Sequence, residues 1–490
     1  MAAPAVLLPP NPTPMGMDTL AVAAPSPTST PSANSLTGLL PPLPLRRTTI
    51  DYTPFFISSR YTNLSFIARG SGTVLVAATD GGGGGVGSSG GGGGGGRPPR
   101  RVAIKKVPEV GASATTIRQL LREVRILRAV SHPHLLRLID VAATPSDGGV
   151  GKGVDVYLVT PLAEGGDLAG VLAGAAVGRR PPLTDANIRR LMGQTLAALA
   201  ALHSACIVHR DVKPDNIFLT GAGADGVGDV LLGDFGLSRY IAPRPPRASR
   251  GGRGGGQGGQ GGQGGGGAVT AVASATAAVS SADDAGLTQG VATRGYRAPE
   301  LTTPRRRRPT YDASMDLWGA GVVLAQALLP GCRIPGKAPS GRPAGWAGGK
   351  AAWDVPSWVA ATARAEGVPP PPPEAVDLLR LLLSVDPATR PSAAEAAAHP
   401  YVAGAATPVG GVGDGVGAGG GGVDGHVRGG GMRGARLEPP AGADKAELGA
   451  LLWAEVTAFH PELEDERPLL GGGAGEKKRR RGLVALLRRR

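Results

Sequence analysis

The run Val208-His209-Arg210-Asp211-Val212-Lys213-Pro214-Asp215-Asn216, followed by Asp234-Phe235-Gly236 behind the apolar stretch Val230 to Leu232, restricts what this chain can become more than any other feature. Met alone, each of its acids is ordinarily a helix cap or a turn residue. The order, the residue types and the separation together are rarely supplied by chance. Such a set needs a large folded support. The chain has 490 residues, 41% of them hydrophobic, enough for one large two-lobed domain or two ordinary ones.

Not all of that length is packed core, because Gly 81 and Pro 45 exceed ordinary usage. The excess lies in tracts, and composition shifts divide the chain around them. Residues 1–50 form a disordered Pro/Ser/Thr-rich extension, and 51–403 a folded domain with low-complexity insertions at 81–100 and 241–285. A Gly-rich linker (404–440), a C-terminal extension (441–466) and a basic tail (467–490) follow. Two cysteines, Cys206 and Cys332, argue against a disulfide framework and fit a reducing compartment, cytoplasmic or nuclear. The net charge of +14 sits partly in Arg305 to Arg308 and Lys477 to Arg490, which read as solvated basic segments; no nucleic acid is required. The tail run Lys477 to Arg481 also fits a nuclear-import signal. No apolar run is long enough to span a bilayer.

Periodicity is strand-like early and helical late. Phe66 to Ala78 reads as two strands around a Gly turn, and Val102 to Val107 and Val154 to Pro161 as further strands. Ile117, Leu120, Leu121, Val124 and Leu127 recur at helical spacing, and Thr184 to Ser204 is a long helix capped by Thr184 or Asp185. Strand-rich sequence before about residue 161 and helix-rich sequence after it predict an α+β fold of two lobes with a cleft between them. Lys105 and Lys106 end a strand and alternate in facing, so only one reaches the cleft; the motif Val102-Ala103-Ile104-Lys105 makes Lys105 the candidate. Its carboxylate partner is Glu123 on the following helix, with Glu109 as rival.

These segments are similar to the signature set of eukaryotic-type protein kinases: Val102-Ala103-Ile104-Lys105, the His209-Arg210-Asp211 loop, Asp234-Phe235-Gly236 and Ala298-Pro299-Glu300. The resemblance implies a bilobal kinase fold, with a small β-rich N-lobe and a larger helical C-lobe, using ATP and Mg²⁺. It implies that Asp211 orients the attacking hydroxyl, that Lys213 neutralises transferring charge, and that Asn216 and Asp234 ligate the metal. The implied nucleotide site comprises Ile67, Gly70, Gly72, Val74, Ala103, Lys105 and Glu123, with Thr160 as gatekeeper and Ala163 in the hinge. Glu300 and Arg390 are implied as a structural pair, and Asp316 as the brace of the catalytic loop.

Within that family the chain resembles mitogen-activated protein kinases (MAP kinases) over roughly 60–403. The segments that carry this are Arg60-Tyr61-Thr62-Asn63-Leu64-Ser65, Asp155 to Val159, Val291 to Glu300 and His399-Pro400-Tyr401. Lys445 to Pro461 resembles the extension that packs back on both lobes. The resemblance implies phosphorylation of protein Ser or Thr followed by Pro, in a signalling cascade with an upstream kinase. The chain also departs from the pattern. Ala68 takes the first position of the Gly-rich loop, and Ile67 to Val74 aligns either ungapped or with one deletion. Thr288-Gln289-Gly290 replaces Thr-x-Tyr, leaving Thr288 as the one acceptor of an activating phosphate, with Arg210 as its partner. Gly295 stands where the substrate pocket has an aromatic. These departures keep two rivals open: a catalytically silent kinase-fold scaffold, and a cyclin-dependent-like kinase that needs a partner.

Overall fold

Alternation along β4 and β5 sorts their side chains onto two faces, and those faces organise the N-terminal half. The computed structural model describes residues 45–70, 72–81, 98–146, 153–221, 223, 226–241, 293, 295–301, 312–330, 332, 354–405, 437–440 and 442–460. Strands β1 (Leu45–Ile50) and β2 (Thr53–Ser58) form an antiparallel hairpin. β3 (Tyr61–Gly70), β4 (Thr73–Asp80) and β5 (Arg100–Val107) lead through helix α1 (Ala114–Ala129) to β6 (Asp140–Pro145) and β7 (Val154–Pro161). The five later strands make one antiparallel sheet in the order β3-β4-β5-β7-β6. One face, with Val74, Val76, Ile104, Tyr157 and Val159, is covered by Phe55 and Ile57 of the hairpin. The other, with Val141, Val156 and Leu158, packs on Ile117, Leu121 and Val124 of α1.

The hairpin corrects the expected boundary of the N-terminal extension: residues 45–50 are a strand, not part of a disordered segment. Its turn residues Asp51 and Tyr52 have φ of 45° and 58°, the left-handed pair that suits a two-residue hairpin turn. The side chains of β1 are largely exposed, so nothing in their hydrophobicity announces the strand; main-chain pairing holds it. Strand β3 likewise begins at Tyr61, ahead of the expected Phe66.

The C-terminal half is helical. After β8 (Gly166–Asp167) come α2 (Leu168–Ala176), α3 (Asp185–Ser204), β9 (Ile207–Val208), β10 (Ile217–Leu219), β11 (Val230–Leu232) and β12 (Arg239–Tyr240). Helices α4 (Ser314–Leu328), α5 (Val355–Glu366), α6 (Pro373–Leu382) and α7 (Ala393–Ala397) complete it. Thr184 is the cap of α3, in a reciprocal box with Asn187, while Asp185 lies inside the helix. Almost every residue of α4 is buried, which suits a run apolar on all sides. Gly319 is required there: a Cβ would stand 2.8 Å from the carbonyl oxygen of Val212, so α4 lies directly against the catalytic loop.

The last of the described helices, α8 (Lys445–Thr457), places Leu448, Leu452, Trp453 and Val456 in the cluster beneath α1. The expected linker 404–440 needs a correction at its end, because Leu437 is buried in the C-terminal core and Glu438 is bonded to two elements. Among the described residues no helix is long and apolar enough to cross a membrane.

Candidate active site

Lys105 lies on the α1 side of the sheet, and Lys106, one residue on, lies on the hairpin side. Lys106 is buried against Asp155, at 2.7 Å, and beside the rings of Phe55 and Tyr157. Lys105 donates to Glu123 Oε1 and Oε2 at 2.9 and 3.1 Å and lies 3.8 Å from Asp234 Oδ1. Burial works against its ammonium, but Glu123 and then Asp234 outweigh this and hold its pKa above the ordinary lysine value. Glu109 is not the partner: it precedes a short turn in a left-handed conformation, and its amide donates to Asp155.

Asp211 is the centre of a second cluster. Its Oδ2 accepts from Lys213 Nζ at 2.7 Å and from Asn216 Nδ2 at 3.1 Å. Its Oδ1 accepts from the amide and hydroxyl of Thr293, both at 3.0 Å. Burial alone would raise this carboxyl; Lys213 and Thr293 overcome it and hold Asp211 below the usual carboxylate range. The loop is braced from below by Asp316, 1% exposed, whose oxygens accept from the amides of His209 and Arg210 and from His203, each at 2.8 Å. That grip holds Arg210 at φ 73°, a strained conformation for a non-glycine residue.

Asn216 and Asp234 share one end of the β10–β11 ladder, where the Asn216 carbonyl accepts from Gly233 at 3.0 Å. The His209 ring bonds the Gly233 carbonyl and packs on Phe235, which is buried in the C-terminal core. Asp234 is open to solvent, whereas Asn216 is 4% exposed; their side-chain oxygens are of the kind that suits Mg²⁺, which keeps several waters and shares phosphate oxygens with its nucleotide. A cavity of about 680 Å³ runs past Gly72, Thr73, Lys105, Glu123 and Asp234. It does not include Ala103, Thr160, Ala163, Asp211 or Asn216, and it extends past Lys106, Glu109 and Asp155, so it overlaps the expected nucleotide site only around Gly72, Lys105, Glu123 and Asp234. Ala103 pairs across from Thr160 on the same sheet face, and the Ala163 carbonyl accepts from Gly166.

Val74 requires correction. It pairs with Lys106, not Lys105, and is buried under the hairpin; Leu75 is opposite Lys105 on the cleft face. The ungapped alignment of the Gly-rich loop is therefore the one the strands adopt, with Thr73 at its third glycine position. Gly70 and Thr73 close the turn, Gly72 has φ 80°, and Ile67 is 42% exposed beside a bulge. Arg390 and Glu300 form a bidentate pair at 2.7 and 2.8 Å, as expected. Thr288 lies outside the described residues. Thr293 is a site residue that sequence reasoning passed over; it stood in the quoted segment but is joined to Asp211 only by folding.

The protein kinase domain model matches residues 95–253 and 271–402, more than half of the chain. The chain belongs to the protein kinase family. Within it, this kinase is a divergent MAP kinase-like member. It is 30% identical over 320 residues to the mitogen-activated protein kinase spk1 of Schizosaccharomyces pombe, covering 62% of this chain and 71% of that one. It is 27% identical to HOG1 of Candida glabrata over 73% of this chain, and 29% identical to sma-5 of Caenorhabditis elegans over 50%. The kinase spans 66% of the length of the former and 38% of the latter.

Proposed function

We propose that the protein transfers the γ-phosphate of ATP to Ser or Thr hydroxyls of protein substrates, with Mg²⁺, in a MAP kinase-like signalling role. The observation that carries this is the Lys105–Glu123 pair formed with Asp234 3.8 Å away, because phosphoryl transfer requires that ion pair and the metal-binding aspartate in place together. Lys105 would hold nucleotide phosphates, Asn216 and Asp234 the metal, and Mg²⁺ would neutralise charge on the transferring group. Asp211 stays ionised to accept the hydroxyl proton, and Lys213 counters developing charge. The preference for Ser or Thr rests on the MAP kinase relatives, and the cytoplasmic or nuclear setting on two unpaired cysteines.

Ala68 and Thr73 add side chains where glycines let phosphates approach closely, which favours weak ATP binding over loss of activity. Among the described residues a Cβ at Gly295 would meet nothing within 4 Å; that space, where the resemblance has an aromatic, supports a relaxed preference for Pro. The test is phosphate transfer to a generic basic protein, with Asp211→Asn as control. Turnover at roughly 1–100 per second supports the reading. No transfer, together with no rise in melting temperature on adding Mg-ATP, leaves a non-catalytic scaffold.

A further inference from the structure

Glu123 reaches Lys105 only while α1 is held against the cleft, and something outside the cleft must hold it. Arg122, beside Glu123 and 4% exposed, donates from Nε to Glu438 Oε2 at 3.0 Å. The other oxygen of Glu438 accepts from the amide of Tyr240 in β12 at 2.9 Å. β12 follows Asp-Phe-Gly and pairs with β9, which runs directly into His209-Arg210-Asp211. One carboxylate thus links the helix that bears Glu123 to the strand that follows Asp234.

Glu438 is itself anchored on both sides. Leu437 is buried in the C-terminal core. Beyond it, the Ala443 carbonyl accepts from Arg118, and Glu455 accepts from Arg125 and Arg128. Arg118, Arg122, Arg125 and Arg128 of α1 are therefore all engaged by the C-terminal segment. In switchable kinases an activation-segment phosphate makes such an arginine-borne link, using added negative oxygens to order the elements.

We propose that Glu438 is a positioning residue for phosphoryl transfer, a carboxylate built into the chain that ties α1 to the Asp-Phe-Gly strand in place of an activation-segment phosphate. This rests on the kinase reading above. It makes turnover independent of a phosphate on Thr288, which the sequence alone leads one to expect.

The test uses the full chain, treated with a broad protein phosphatase, and its Glu438→Gln variant. The treated wild type is expected to retain its turnover. Glu438→Gln is expected to lower kcat ~10-fold with little change in KM for the protein substrate, as loss of a link that aligns Lys105 and Glu123 requires. Backbone hydrogen exchange across 114–129 and 235–240 should quicken in the variant. Loss of wild-type turnover on phosphatase treatment, or a variant that matches wild type in both kcat and exchange, overturns the proposal. If wild type transfers no phosphate before or after treatment, the kinase reading fails separately. Exchange alone then decides: faster exchange in Glu438→Gln supports the link, and unchanged exchange sinks it.

Discussion

Asp211 concentrates the chemistry into one side chain, and its environment predicts its pH behaviour. Its folded-state pKa lies below the ordinary aspartate value. Its ionised form therefore adds stability above the unfolded pKa of about 4, and that contribution disappears as pH falls through the lower folded value. Turnover should fall in the same acidic window, read from kcat against pH. Asp211→Asn should lower kcat by about 10²–10⁴ while Mg-ATP still raises the melting temperature. The β4 register gives a second residue-scale prediction. Val74→Ala should cost about 2 kcal/mol in denaturant unfolding and leave KM for ATP unchanged, because Val74 packs under the hairpin. Leu75→Ala should raise KM for ATP with a smaller stability change. Lys105 was legible from the Val102-Ala103-Ile104-Lys105 motif, with Lys106 alternating to the other face, and Glu123 from its place on the following helix. Val74 was misplaced because a single-residue gap in a short loop reverses every facing beyond it.

Elements differ in how clearly they announce themselves. α3 carries its cap in plain view, and Thr184→Ala should cost about 1 kcal/mol. α4 reads as buried from its apolar run, but its role as the floor of the catalytic loop depends on one close approach. Gly319→Ala must displace Val212, which lies between Asp211 and Lys213. It should therefore reduce kcat and lower the melting temperature together. The β1–β2 hairpin escaped notice because its first strand shows neither alternation nor an apolar face. The stretch around Leu437 and Glu438 escaped for a different reason: it emerges from a glycine tract, and short ordered pieces at the edge of such a tract share its composition.

At the level of the whole molecule, long-range ties hold distant parts of the chain together. Arg390, fully buried, engages Glu300 and the Ser314 carbonyl and stacks over Trp318. Arg390→Ala leaves the part-buried Glu300 carboxylate and the Ser314 carbonyl without their partner and should destabilise by about 3 kcal/mol, measured by denaturant unfolding. The two-lobed division was legible from the change of periodicity near residue 161. The Glu300–Arg390 pair, within the C-terminal half, was legible through the family resemblance; the Glu438–Arg122 tie was not, since residues 316 positions apart have no local spacing to betray them.

The partnership of Arg125 with Glu455 spans 330 positions of chain. During synthesis the ribosome releases α1 and the sheet long before α8 exists. Until then Leu121, Val124, Val156 and Leu158 have no cover from Leu452 and Trp453. A nascent chain of this kinase therefore carries an oily, unfinished flank through most of its translation, which makes it a natural client for chaperones and leaves chains stopped short of α8 prone to aggregation.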